Sequence, residues 1–354
     1  MNLNVEYIWI QFFLCALIIV YAGMRLSYLG DVIAEKLKLG RNWVGVTLLA
    51  LATSLPEVVT SSSAAKIGAV NISIGNILGS NLFNLLIIAL IAIISAKSLK
   101  RISLSRNHII SGCMGIMLIS IAALSLIFYN LTALQSSRHY AHLFIGFDSL
   151  IIIIAYSFGM RFLLRREKEF LSPVASPKQK KYKHLSLAKT YLLFILFTSF
   201  IVASGIRMAQ LGDIIAQREL HLFGREIIIG QTLVGIILVA IATSLPELVV
   251  SLGALRLGAY DMAIGNALGS NMLNILIIPI SDLFFTRGPI LLFSSSSHIF
   301  TALLGIIITA IAMLSIFYRL EARVPKKLSL DAWLIIAVYL AGLYLMLKLN
   351  LIIR

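Results

Sequence analysis

The chain has 354 residues, of which 59% are hydrophobic and 13% are charged, and its mean hydropathy is +0.96. A soluble domain of this length needs far more polar surface, so the composition excludes a soluble protein and indicates a polytopic membrane protein. The formal net charge of +15 does not indicate nucleic-acid binding, because the Lys and Arg residues lie in short connections between apolar segments.

Apolar segments of about 20 residues, the length that crosses a bilayer as a helix, recur ten times along the chain. The first lacks the basic start and the cleavage site of a secretory signal, so we predict a retained membrane span. The first five spans are predicted at about residues 8–28, 43–66, 72–95, 108–128 and 143–164, and the second five at about residues 186–210, 226–255, 262–285, 295–318 and 330–349. The sequence therefore predicts an all-α polytopic membrane protein with a first five-helix repeat (residues 1–164), a polar cytoplasmic linker (165–185) and a second five-helix repeat (186–354).

One stretch of this chain occurs twice. Residues 45–88 align with residues 235–278 at a constant offset of 190, with 25 identical positions and no gap, and both copies contain TSLPE followed by GNxxGSNxxN. Because each half has an odd number of spans, the second half must enter the membrane from the opposite side. The result is a pair of inverted repeats, an architecture that recurs in transporters.

The basic residues predict the orientation in the membrane. With the N-terminus outside, the inner connections hold 21 Lys and Arg residues and the outer ones hold 8, and an excess of positive charge marks the cytoplasmic side. We therefore expect a multi-pass protein in the plasma membrane of a prokaryote, the inner membrane in a bacterium, with its N-terminus outside.

Glu57 and Glu247 are the only acidic residues predicted at mid-span. A charged carboxylate near the bilayer centre costs roughly 2.5 to 3.5 kcal/mol, so it requires a partner or a function. Neither span has a Lys or Arg nearer than Lys66 or Arg256, at the far ends. We interpret the missing positive charge as a transported cation.

Each glutamate follows a proline, Pro56 or Pro246, which removes a backbone donor and crowds the carbonyl of Ala52 or Ala242 four residues earlier. We expect the helix to open there and to free carbonyl oxygens toward a buried cavity. The hydroxyls that complete this all-oxygen cage are those of Thr53, Ser54, Thr243 and Ser244. Such a cage suits Ca²⁺ or Na⁺ rather than zinc or copper, because no Cys, His or Met is near. A purely structural role for the two glutamates is disfavoured by the identical polar set in both copies.

The doubled TSLPE and GNxxGSNxxN motifs resemble the α-repeats of the cation/calcium antiporter superfamily, in the prokaryotic sodium/calcium exchanger group, over essentially the whole chain. The resemblance implies ten spans, alternating access, Na⁺-for-Ca²⁺ exchange without a cofactor, and no enzymatic activity. It implies that Glu57 and Glu247 bind both ions, with oxygen from Thr53, Ser54, Thr243 and Ser244. It adds the carbonyls of Ala50 and Ala240, the hydroxyls of Ser80 and Ser270, and the central amides of Asn84 and Asn274.

The sequence departs from the family pattern at Ala52 and Ala242, where relatives usually have Gly, and at Asn274, where prokaryotic relatives often have Asp. The missing acid weakens a K⁺-dependent reading, and the GNxxE signature of proton/calcium exchangers is absent. Ca²⁺ exchange driven by H⁺ or K⁺ is the nearest alternative to Na⁺-driven, electrogenic exchange. A passive cation channel and an intramembrane protease are more distant alternatives.

Other polar residues are interpreted structurally. A protease would use Asp31 and Asp213, which we expect to cap the connecting segments at span ends. We expect Asp148 and Asp282 to be hydrated at the membrane interface. We interpret His108 and His298, which match at the repeat offset, as relics of the repeat.

Overall fold

The structure is a computed structural model, and it describes residues 5–95, 104–136, 145–170, 182, 185–217, 220–222, 225–227, 240–321 and 330–348. The first half consists of helices that are joined by short connections. They are α1 (Val5–Leu37), α2 (Arg41–Val44), a π-helical segment (Gly45–Leu49), α3 (Ala50–Lys66), α4 (Val70–Ile94), α5 (Asn107–Ser136) and α6 (Phe147–Phe170).

The second half has a similar order of helices and, within its described residues, also contains a short hairpin and a 3₁₀ turn. Its elements are α7 (Leu187–Gln217), the antiparallel strands β1 (Leu220–Leu222) and β2 (Arg225–Ile227), α8 (Ala240–Thr243), α9 (Leu245–Arg256), α10 (Tyr260–Phe284), the 3₁₀ turn (Ile290–Phe293), α11 (Ser297–Glu321) and α12 (Leu330–Lys348).

Eight helices within the described residues are long and apolar enough to cross a membrane, and Leu330–Met346 is a shorter apolar helix. The predicted seventh span, residues 226–255, is described only at β2 and from Ala240 onward. The predicted bounds of the first span are too short, because α1 continues to Leu37. At 1.5 Å per residue its 33 residues extend about 50 Å, which exceeds the hydrocarbon thickness of about 30 Å.

Helices of one half pack against helices of the other half, and the contacts are equivalent in the two repeats. α1 lies along α7 and against α9, while α7 lies against α3. The central helices α4 and α10 contact α12 and α6 respectively, each from the other half. The central helices are also the most enclosed spans, since 67% of the apolar window of α4 and 83% of that of α10 are buried. The two halves therefore form one interlocked body around α4 and α10.

The second span of each half is irregular, but not where the prolines alone predict. In the first half the helix runs through Pro56, and the irregular part is the π segment Gly45–Leu49 before it. In the second half the helix breaks at Ser244, so that Pro246 lies in the first turn of α9, where a missing N–H costs nothing. The expected opening next to the alanine carbonyl is therefore present in the second copy, at the break after Thr243. In the first copy the expectation is wrong, because the helix is continuous at Ala52 and the π segment ends before it.

Glycines bring α10 against the backbone of the irregular span. A Cβ atom at Gly265 would lie 2.8 Å from the carbonyl oxygen of Asn42, and one at Gly269 would overlap the carbonyl of Val46. Gly45 in turn faces the carbonyl of Met262 at a separation too small for a side chain. The close approach positions the polar residues of α10 beside α3.

Asp31 does not cap a helix end, as the sequence suggested, because it lies inside α1 and is 1% exposed. Its carboxylate accepts hydrogen bonds from Arg41, with Nε to Oδ1 at 2.7 Å, and from the hydroxyl of Tyr182 at 3.0 Å. Burial, followed by the charge of Asp31, raises the pKa of the Tyr182 hydroxyl. The contact joins the linker to the end of α1. The side chain of Asp213 lies outside the described residues.

Asp282 is likewise not hydrated at an interface, since it is 1% exposed. Its carboxylate accepts hydrogen bonds from the backbone N–H groups of Gly146 and Ile290, both at 2.7 Å, and from the hydroxyl of Ser149 at 2.8 Å. Asp148, also buried, accepts one from Tyr129 at 2.7 Å. Asp282 thus binds residues before α6 and after α10, and Asp148 binds the start of α6 to α5.

We predict that Gly269→Ala destabilises the fold, because the added methyl group overlaps the Val46 carbonyl, and overpacking of this kind costs about 1–3 kcal/mol. The unfolding temperature of the purified protein in detergent measures the effect. Gly115→Ala in α5 is the matched control, since a Cβ atom there meets nothing within 4 Å. Equal unfolding temperatures for the two variants would contradict the packing described.

Candidate cation site

The site lies between the two irregular spans. Glu57 on α3 and Glu247 on α9 are both 0% exposed, and their carboxyl groups are close enough to interact electrostatically. Two buried carboxylates at short range repel each other. The site therefore gathers two acidic groups, one from each half, inside the protein.

Each glutamate is bound by a serine of the other half. The Ser54 hydroxyl donates to Oε1 of Glu247 at 2.9 Å, and the Ser244 hydroxyl donates to Oε1 of Glu57 at 2.9 Å. The two bonds are related by the 190-residue offset of the repeat. The inverted halves are thus brought together by reciprocal contacts at their glutamates.

The threonines contact backbone carbonyls of their own spans. Thr53 donates to the carbonyl of Ala50 at 3.3 Å and to that of Leu49 at 3.0 Å, and Thr243 donates to the carbonyl of Ala240 at 3.2 Å. The two alanine carbonyls predicted from the family resemblance therefore lie within hydrogen-bond distance of the threonine hydroxyls.

Several polar atoms of the predicted set have no hydrogen-bond partner among the described residues. They are Oε2 of Glu57 and of Glu247, the hydroxyls of Ser80 and Ser270, and the amide groups of Asn84 and Asn274. All six residues are 0% exposed, and Ser270 lies beside Glu247. A buried polar atom without a partner costs about 1–3 kcal/mol, so this set fits a ligand that oxygen atoms can coordinate.

Four further residues of the site were not assigned as ligands from the sequence. Asn76 and Asn266 accept hydrogen bonds from threonine hydroxyls and donate to Ser61 and Ser251. The sequence held a signal for them, since both serines lie four residues after a glutamate, on the same helix face, and match at the repeat offset.

The donor set is chemically uniform. It contains carboxylate, hydroxyl, amide and carbonyl oxygen, and no cluster of three or more His, Cys, Asp or Glu exists within the described parts of the chain. Hard cations such as Ca²⁺ and Na⁺ prefer oxygen ligands, whereas transition metals prefer nitrogen or sulfur. The arrangement therefore suits an alkali or alkaline-earth cation as substrate.

Comparison with known proteins agrees with this chemistry. The family model described as "Sodium/calcium exchanger protein" matches residues 7–167 and 170–348. The chain is 28% identical over 269 residues to the putative antiporter CaxA of Alkalimonas amylolytica, covering 74% of this chain and 75% of that protein. It is 29% identical over 280 residues to the sodium/calcium exchanger MaX1 of Methanosarcina acetivorans, covering 72% and 76%.

The fold is also that of a solved transporter. The sodium-calcium exchanger NCX_Mj, in a structure soaked with Na⁺ and Sr²⁺, superposes with a TM-score of 0.66 at 22% identity, covering 95% of this chain and 98% of that one. That protein is a ten-helix membrane exchanger. The likeness confirms the predicted fold class of an all-helical, ten-span membrane protein.

Proposed function

The chain belongs to the sodium/calcium exchanger family, and we propose that it exchanges Na⁺ for Ca²⁺ across a prokaryotic plasma membrane by alternating access. It is a membrane-embedded cation antiporter and not an enzyme. The observation that carries the proposal is the reciprocal pair of serine–glutamate hydrogen bonds, 2.9 Å each, which brings one carboxylate from each half to a single oxygen-lined point.

Glu57 and Glu247 bind the same Ca²⁺ in this proposal. Their unpartnered Oε2 atoms supply the negative ligands, and the hydroxyls of Ser80 and Ser270 with the side-chain oxygens of Asn84 and Asn274 complete the coordination. The same oxygen atoms bind Na⁺ in the alternate step, together with the Ala50 and Ala240 carbonyls and the hydroxyls of Thr53, Ser54, Thr243 and Ser244. One cage therefore serves both ions in turn.

Competition for one cage explains why transport is exchange. Two ionised carboxylates that stay buried without a cation carry a charge of −2 in a medium of low dielectric constant, which is unfavourable. Loading with Ca²⁺ neutralises that charge, and loading with Na⁺ removes the excess of negative charge as well. The site therefore changes its membrane exposure when loaded, and each passage of one ion requires the return of the other.

The inverted repeat supplies the two access states. Since α1 and α7 lie together against α9 and α3, they can shift as a pair across the irregular spans while α4 and α10 stay fixed. Because the halves are related by inversion, a rearrangement that opens one side has a counterpart that opens the other. Alternating access follows from the exchange of these two conformations.

The carboxylate pair gives the first test. We predict that Glu57→Gln and Glu247→Gln each abolish Ca²⁺ flux in proteoliposomes, because an amide supplies oxygen without the charge that binds a divalent cation. Glu35→Gln is the matched control, since Glu35 lies near the C-terminal end of α1 and its side chain accepts a backbone hydrogen bond from Tyr182, a bond that the amide oxygen of Gln can also accept. Full transport by either cage variant would refute the shared site.

Orientation is tested by cysteine accessibility. In a background with Cys15→Ala and Cys113→Ala, we predict that Ser176→Cys is shielded from a membrane-impermeant thiol reagent in intact cells and that Ser137→Cys is labelled. Both positions lie outside the described residues, and the expectation comes from the excess of basic residues on the inner side. The reverse labelling pattern would place the N-terminus inside.

The coupling ion is tested by voltage. Two carboxylates balance one Ca²⁺. Three Na⁺, the number that this proposal assigns to the alternate load, leave a charge of +1, which the neutral amides of Asn84 and Asn274 do not cancel. We predict Na⁺-driven Ca²⁺ uptake that needs no K⁺ and that changes its rate with imposed membrane potential. The same liposomes, given only an outward H⁺ or K⁺ gradient, are the comparison. Voltage-insensitive uptake, or uptake that stops when K⁺ is removed, would contradict this assignment.

A further inference from the structure

Each threonine of the cage is connected, across the boundary between the halves, to two residues outside the ligand set. The Thr243 hydroxyl donates to Oδ1 of Asn76 at 3.0 Å, and Nδ2 of Asn76 donates to the Ser61 hydroxyl at 2.9 Å. We call this chain the Asn76 relay.

The other half contains the mirror arrangement, which we call the Asn266 relay. The Thr53 hydroxyl lies 3.5 Å from Oδ1 of Asn266, and Nδ2 of Asn266 donates to the Ser251 hydroxyl at 3.0 Å. The residues of the two relays match one by one at the repeat offset of 190.

All six residues of the relays are 0% exposed, so solvent does not supply alternative partners. Buried polar groups persist when they are paired, and a paired network fixes the orientation of its members. Here each asparagine uses its oxygen toward a threonine and its nitrogen toward a serine. The relays are therefore oriented hydrogen-bond chains inside the membrane region.

The direction of each chain matters for cation binding. A hydroxyl coordinates a cation through an oxygen lone pair, so its proton must be donated elsewhere. Oδ1 of Asn76 accepts that proton from Thr243. If the amide were turned around, its N–H groups would face the threonine, and the hydroxyl proton would turn away from the asparagine toward another acceptor or the cation.

In each relay the serine hydroxyl accepts from the amide nitrogen and so stabilises this orientation of the amide. A Ser61 oxygen that accepts from Nδ2 leaves Oδ1 for Thr243. In the mirror chain, Ser251 donates its own proton to the carbonyl of Ala263 at 3.3 Å, so its lone pairs are directed to Asn266. Neither serine belongs to the predicted ligand set, yet each is bonded to the asparagine that accepts from a threonine of the other half.

The relay also affects a backbone ligand. Thr243 has a second acceptor, the carbonyl of Ala240 at 3.2 Å, and one proton cannot serve both acceptors fully. When Asn76 accepts it, the Ala240 carbonyl keeps its lone pairs for a cation. The Asn76 relay thus increases the number of oxygen atoms that can coordinate at once.

We propose that Asn76 and Ser61 are positioning residues that direct the Thr243 proton out of the cage and thereby set its affinity for the transported cation. Asn266 and Ser251 have the same role toward Thr53 but a weaker effect, because the Thr53 hydroxyl has a nearer acceptor in the carbonyl of Leu49 at 3.0 Å. The inference rests on the proposed function, because it assumes that the cage binds a cation. The shorter threonine–asparagine distance in the Asn76 relay makes Ser61 the more influential of the two serines.

The test measures ion binding separately from transport. Purified parent protein, Ser61→Ala and Ser61→Thr are titrated with CaCl₂ and, separately, with NaCl, and the rise in unfolding temperature gives the half-saturating ion concentration. Ser62→Ala is the matched control, because Ser62 is the next residue on α3 and its hydroxyl has no partner among the described residues. Na⁺-driven Ca²⁺ uptake is measured on the same preparations.

We expect Ser61→Ala to raise the half-saturating Ca²⁺ concentration about five- to tenfold, the size of one lost hydrogen bond, and to raise the KM for Ca²⁺ in parallel with a smaller change in kcat. Ser61→Thr keeps the hydroxyl and should bind as the parent does, as should Ser62→Ala. Ser251→Ala should raise the half-saturating Ca²⁺ concentration by a smaller factor. If Ser61→Ala does not fold, Ser251→Ala is the variant that tests the inference.

The outcomes separate the two proposals. A parent protein that binds Ca²⁺ but does not exchange it for Na⁺ refutes the proposed function. The relay is still tested in that case, by the ratio of the half-saturating Ca²⁺ concentration of Ser61→Ala to that of the parent. A lower unfolding temperature of the ion-free Ser61→Ala protein with an unchanged half-saturating concentration would show a structural role only and overturn the inference. A parent whose stability responds to neither ion overturns both.

Discussion

The structure depends on one constraint, the burial of two carboxylates at the centre of a membrane protein. Glu57 and Glu247 are fully enclosed, and each Oε1 atom is held by a serine hydroxyl at 2.9 Å. Because the serine comes from the opposite half in both cases, neither half can form the site alone. The interlocking of the halves around α4 and α10 is the structural consequence, since reciprocal contacts require both irregular spans to meet at the same depth. The glycines of α10, packed against the carbonyls of Asn42 and Val46, permit that close approach.

Much of this arrangement could be predicted from the sequence because the chain contains two copies of the same polar motifs. A single span with a glutamate and a proline has several interpretations, whereas identical polar sets at a constant offset restrict the site to Glu57, Glu247 and their neighbours. The family resemblance extended the list to Ser80 and Asn84, whose side chains the structure leaves buried and unpartnered among the residues it describes. Helix number and class followed from hydropathy, since an apolar run of about 20 residues has few alternatives in a bilayer.

The remaining features could not be predicted, because they depend on tertiary contacts. Pro56 and Pro246 occupy the same position in the repeat, yet one lies within a continuous helix and the other in the first turn after a break. A proline specifies which backbone bond is absent, and the packing decides where the strain is absorbed. Asp31 and Asp282 were misassigned for the same reason, since their partners lie in other elements: Arg41 and Tyr182 for one, Gly146 and Ile290 for the other.

The two halves are most alike at the cage and least alike at the membrane faces. At one face, Asp261 accepts hydrogen bonds from the backbone of Ser105 and the ring of His108, both at 2.8 Å. Its counterpart at the other face is Asn71, which accepts the equivalent backbone bond from Ser295 at 2.8 Å. The ring nitrogens of the matching histidine, His298, have no partner within the described residues. A site that is reached alternately from two sides must present the same ligands to both, so symmetry is required at its centre. The faces meet different solutions and have no such requirement. There the repeat has diverged from an acidic residue, Asp261, to a neutral one, Asn71.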